Sequence, residues 1–224
     1  MFRGRALRRC GRKGLQTILQ GDADASHHLA LLELVRWHPG ALSAPGEPDL
    51  VLGVALRWLS RCQDEPPLAE GALEALGSLV LHHRARLRDS CFEVLMSAFH
   101  LLGSPTASVR HKALGLALIL LEVDPVCAPR ELLYLAATGD RMQRLATMVA
   151  FRRLLCRGNR GQGAEALPLQ ALYELYKEHA EHPTDDVLRT EGNLGLELLA
   201  HACEEFHGST PDDAMLCQVT DSSM

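Results

Sequence analysis

At 224 residues, with 23 basic and 28 acidic side chains, the chain can bury a substantial core as one large domain or two small ones. Hydrophobic residues make up 47% of it but aromatic ones only 4%. Leu and Ala supply most of the apolar weight, which favours helices over strands. The longest apolar run, Ala113 to Val123, is flanked by His111, Lys112 and Glu122. It falls short of the eighteen or so residues that span a bilayer, so no membrane partner is expected.

The chain opens on its most basic stretch. Arg3, Arg5, Arg8, Arg9, Arg12 and Lys13 precede the first acid, Asp22, and the remainder carries 17 basic against 28 acidic residues. Phosphate contacts need clustered Lys and Arg, so nucleic acid is expected only through Arg3–Lys13. This start reads as an exposed first helix, with a nuclear-import or polyanion-binding patch and a mitochondrial transit segment as alternatives. Seven cysteines (Cys10, Cys62, Cys91, Cys127, Cys156, Cys203 and Cys217) show no short paired spacing. Reduced thiols packed as small hydrophobes, and hence an intracellular location in cytoplasm or nucleus, are expected.

Five helical stretches run near Ala6–Gln20, Pro48–Cys62, Ala85–Leu101, Pro129–Thr138 and Leu169–Glu181. Five others alternate with them, and these repeat. The segment Ser108–Glu122 places Val109, Ala113, Leu114, Ala117, Leu120 and Leu121 on one helical face. Anchored on Ala113, equivalent small residues occur at Ala30, Ala72, Thr147 and Gly192, at intervals of 42, 41, 34 and 45 residues. Four positions on come Leu34, Leu76, Ala117, Phe151 and Leu196; seven on come Trp37, Leu79, Leu120, Leu154 and Leu199. Gly and Pro punctuate the joints, among them Pro39-Gly40, Pro66-Pro67, Gly103–Pro105, Gly139 and Pro183. A lone helix pair cannot cover its own apolar face, whereas stacked pairs bury a continuous core.

This pattern resembles the armadillo/HEAT superfamily over residues 6 to 206, most specifically at Val109-Arg110 followed by Ala113, Leu114 and Ala117. Arg144 and Arg189 take the place of Arg110 in the next two pairs, each four residues after Asp140 or Asp185, as Arg110 follows Thr106. The resemblance implies an all-α, right-handed solenoid of about five antiparallel helix pairs over 1–206. A tail over 207–224 is left disordered or with one short helix. The resemblance also implies a polar ladder in which these arginines pair with neighbouring acids; a row of ligand-binding guanidinium groups is the alternative. By composition rather than motif, the run Leu116–Leu121 is similar to armadillo-like proteins of vertebrate meiosis, which implies a nuclear role in meiotic recombination.

Catalytic signatures are missing from the sequence. The loop Gly158–Gly163 spells GxxGxG after a helix, whereas a phosphate cradle needs a strand–turn–helix. His179 and His182, and Cys203 and His207, are single pairs where a closed zinc site needs four converging ligands, so solvated or capping histidines are expected, with no metal and no cofactor. No GxSxG elbow, Walker loop or HExxH occurs. The expected function is therefore a non-catalytic scaffold that grips a protein or peptide of some basic character. The alternatives are a nucleic-acid or targeting role for the basic start, and an enzyme. In the superfamily the second helix of each pair lines the inner side. On that side the helical register puts Glu70, Glu74, His111, Lys112, Glu122, Arg152, Glu197 and His201 on the solvent-facing stripe.

Overall fold

The computed structural model describes residues 25–42, 44, 46–60, 66–158 and 167–207, with Lys13, Leu15 and Thr17. The basic residues Arg3–Arg12, the glycine loop from Asn159 to Gly163, the tail beyond His207 and Cys10, Cys62 and Cys217 lie outside the described residues, as does the side chain of Cys203.

Among the described residues every regular element is helical. These are α1 (Ala25–Trp37), α2 (Glu47–Leu59), α3 (Pro66–His82), α4 (Cys91–Leu102), α5 (Ala107–Val123), α6 (Cys127–Thr138), α7 (Arg141–Gly158), α8 (Leu169–Ala180) and α9 (Asp186–His207). The expected all-α class is therefore observed. Helix starts follow from local chemistry. Gly46, at φ 89°, turns the chain into α2, where Pro48 needs no donor of its own and Glu47 accepts the Ala44 N–H at 2.9 Å. Asp140 and Gln143 exchange side-chain-to-backbone bonds of 2.8 Å each ahead of α7, a reciprocal cap that satisfies two orphan donors. Asp185 caps α9 by accepting the N–H groups of Val187 and Leu188 at 3.2 Å.

The chain divides into two compact units, residues 1–124 and 125–224. In the first, α3 packs between α1 and α5, while α2 packs on α3 and α4 packs on α5, with α2 and α4 also touching. The repeat register predicts much of this core. Leu34, Ala72, Leu73, Leu76, Leu79, Ala113, Ala117 and Leu120 are all buried.

Two expectations fail in this unit. The helix expected over Ala85–Leu101 begins only at Cys91. Leu87 is buried at the turn, Arg86 is drawn to Asp49 of α2 at 3.0 Å, and Arg88–Ser90 form a single 3-10 turn. Asp89 and Ser90 thus act as a start signal rather than as helix interior. Trp37 is not a core residue: it is 59% exposed. It is the last residue of α1, and its indole N–H donates to Glu33 at 3.1 Å while the Arg36 guanidinium lies 4.7 Å from its ring centre. Val35, fully buried, fills that end of the core instead.

In the second unit α9 packs on both α8 and α7, and α6 packs on α7. Tyr176 of α8 is fully buried, and its hydroxyl donates to the Met148 carbonyl of α7 at 2.7 Å. Its ring lies directly on the backbone of α9 at Gly195, where an added Cβ would stand 2.1 Å from the ring's Cδ1. A Cβ at Gly192 would stand 2.5 Å from the Ala180 nitrogen. By contrast, a Cβ at Gly53 in α2 meets nothing within 4 Å. Gly195→Ala should therefore destabilise the protein by about 1–3 kcal/mol, the usual cost of overpacking. Gly53→Ala should stabilise it by about 0.5–1 kcal/mol through helix propensity. Urea melts of the two variants check the contrast, and equal effects would contradict this packing.

Candidate functional site

The eight stripe residues fall into two groups. Glu74 of α3 sits between two cations from the flanking second helices. Its Oε2 receives Arg36 Nε of α1 at 2.7 Å, and its Oε1 pairs with Lys112 Nζ of α5. One turn earlier, Ser108 of α5 donates to Glu70 at 2.5 Å. In the second unit Arg152 of α7 pairs with Glu191 of α9. Glu70, Glu74, Lys112 and Arg152 thus tie neighbouring second helices together. His111, Glu122, Glu197 and His201 are exposed.

The register of these ties is informative. Relative to the repeat anchor, each contact joins a residue of one second helix to one three to six positions earlier in the next. Neighbouring second helices therefore run in the same direction with an offset of about one or two turns. Arg36, Ser108 and Glu191 are partners that the stripe analysis missed. Equal spacing of 38 residues along Arg36, Glu74 and Lys112, with the charge sign alternating, was the available signal.

The three repeat arginines do something other than a simple acid ladder. Arg110 donates to the carbonyls of Ser104 and Pro105 at 2.6 and 2.9 Å. Arg144 donates to those of Gly139 and Ala137 at 3.0 and 3.3 Å. Arg189 donates to that of His182 at 3.3 Å, and also pairs with Asp186. Each guanidinium folds back on the turn before its own helix. There it satisfies carbonyls of the turn, and for Arg144 also that of Ala137 in the last turn of α6, close to the preceding helix's negative end.

A cleft of about 570 Å³ opens in the second unit where the turn before α7 meets the turn before α9. Its walls include Arg141, Arg144, Glu178, His179, His182 and Asp185. Arg141 grips Asp185 through two nitrogens. The Arg141 hydrogen bond, assisted by the Leu188 and Val187 amides, holds the Asp185 carboxyl well below the ordinary carboxylate range. Expected to be solvated or capping, His179 is instead 2% exposed, and its Nδ1 bonds the Leu175 carbonyl at 2.8 Å. His182 is a capping residue: its Nδ1 accepts the Asp185 N–H at 3.1 Å. Deeper in the unit, burial pushes the Tyr176 phenol far up, with Glu191 adding to the shift. That side chain is a neutral donor, not a base.

Among the described residues, no three His, Cys, Asp or Glu side chains converge to hold a metal. Cys91 is buried as expected, whereas Cys127 and Cys156 are exposed, and none of the three is in a disulfide. Comparison with protein-family models, curated proteins and solved structures finds no match for this chain.

Two measurements follow from this geometry. Glu74 and Lys112, which the helical register alone would leave open, should couple. Glu74→Gln is expected to cost about 1 kcal/mol, with a coupling near 0.2–1 kcal/mol to Lys112→Met in a double-mutant cycle. A zero coupling would mean that the tie is not formed in solution. Separately, the depressed Asp185 carboxyl stabilises the fold above the unfolded-state value of about 3.9 and loses that contribution as pH falls through the lower folded-state value. Asp185→Asn preserves a capping side chain but removes the titration. Acid unfolding followed by circular dichroism should then vary less steeply below about pH 4 than in the parent chain.

Proposed function

We propose that the chain is a non-catalytic protein-binding scaffold whose helix pairs continue as a right-handed, armadillo/HEAT-like solenoid. The observation that carries this reading is the cross-helix stitching of the second helices. Arg36–Glu74–Lys112 and Ser108–Glu70 in one unit, and Arg152–Glu191 in the other, each join neighbouring helices of the repeat series. Polar groups that neutralise one another across helices make a stiff, ordered face. They are poor candidates for proton transfer, which needs a group left available to a substrate. A stiff face built of repeats suits the gripping of an extended protein or peptide. On this reading the exposed residues His111, Glu122, Glu197 and His201 contact the partner, and the stitched residues hold the surface in shape.

Charge reversal at exposed positions tests this. Glu122→Lys with Glu197→Lys should leave the melting temperature within a few degrees and remove partners captured from cells by the parent chain, since exposed charges set specificity more than stability. Reversal of Arg5, Arg8 and Arg9 serves as the comparison. Should that second variant lose the partners or the location while the first behaves normally, the basic start carries the function and the helical body is a spacer.

A further inference from the structure

We propose that the cleft between the turns before α7 and α9 binds a carboxylate, with Arg144 and His182 as the donors. This goes beyond the scaffold reading, because none of the eight stripe residues forms part of the cleft wall.

Pairing geometry singles out Arg144, whose ion pair is the longest of the three around the cleft. The other charges around the cleft are matched in pairs, Arg141 with Asp185 and Arg189 with Asp186. Arg144 is instead held by two neutral carbonyls through Nε and Nη2. The acid facing its Nη1, Glu178, stands 3.9 Å away, beyond hydrogen-bonding distance, and is 69% exposed. A guanidinium fixed by its own turn has already lost its rotamer freedom, so an incoming anion meets a preorganised donor.

The two histidines define the rest of the ligand. His182 accepts a backbone N–H at Nδ1, which places its proton on Nε2 as a second donor. His179, nearly fully buried, donates from Nδ1 to Leu175, and in the neutral ring Nε2 is then an acceptor. Two donors and one acceptor match a carboxylate with an N–H on the adjoining carbon. An acylated amino acid has that pattern, and so does the C-terminal residue of a peptide. The cleft volume falls within the range of about 300–1,000 Å³ that small-ligand sites occupy.

The test uses the full chain, ¹⁵N-labelled, with arginine Nε–H and backbone resonances followed by NMR. The probes are N-acetyl-Ala-Ala with a free C-terminus, its C-terminal amide, N-acetyl-aspartic acid α-amide with its side-chain carboxylate free, and acetate, at constant ionic strength. Arg144 should shift saturably with the free-acid peptide, more weakly with acetate, and not with the amide. The aspartyl probe separates the two sources of carboxylate. The side-chain carboxylate has no N–H on its adjoining carbon, so a weaker response than that of the free acid is expected, and an equal one would overturn the chain-end assignment. Arg110 occupies the same repeat position without this cleft and serves as the internal control. Glu178→Gln, at an exposed position, removes the competing carboxylate and should tighten free-acid binding about three- to fivefold. Equal shifts at Arg144 and Arg110, an equal response to the amide, or unchanged affinity in Glu178→Gln would each overturn the proposal.

Discussion

The distance between packed helices is set by the smallest side chains where they cross, and in this chain those positions are kept small. Ala72, Ala113 and Thr147 have no exposed surface, and Gly192 is buried as well. Larger residues flank them, Leu73 and Leu76 in α3 and Met148 and Phe151 in α7, and all are buried. Close approach brings these flanking side chains into one another's gaps, and interior packing of this density responds to single methylene changes. The most demanding contact is at the end of the series. Tyr176 lies on bare backbone at Gly195 and reaches past α9 to a carbonyl of α7, so one ring fixes the mutual placement of three helices.

The polar ties depend on this spacing. Glu74 reaches Arg36 and Lys112 together because α3 packs between α1 and α5. Each such pair is half exposed and contributes modestly to stability. Their larger effect is on register. A slip of one residue would move Glu74 about 100° around α3 and separate it from both cations. Apolar packing brings the helices together, and alternating charge selects one alignment among several that bury similar area.

Much of the architecture could be read from residue types alone. Ala30, Ala72, Ala113, Thr147 and Gly192 do mark successive second helices, because small residues at helical spacing between leucines have few other uses. The Gly and Pro joints were also legible, since both residues act locally. The failures are tertiary. Trp37 fits the apolar period yet stands outside, because periodicity does not say where a helix ends. Ala85–Arg88 has the composition of a helix, but burial of Leu87 and the pull of Asp49 on Arg86 come from partners far away in sequence. For the candidate sites, periodicity told which way Glu74 and Lys112 point. It could not tell that the neighbouring helix presents the opposite charge there. His179 was misread for the same reason: a histidine on a polar helix face gives no sign that another helix will cover it.

The ties between elements have one more property. Arg86–Asp49, Ser108–Glu70, Lys112–Glu74, Arg152–Glu191 and Arg141–Asp185 span 37, 38, 38, 39 and 44 residues respectively. Tyr176–Met148 spans 28. No tie in this set reaches beyond the adjacent repeat, so the entropy of closing each loop is small and nearly the same throughout. Contact order is correspondingly low, which predicts rapid collapse of each unit. Chain growth during synthesis would then complete the structure pair by pair, each new helix docking on one already formed.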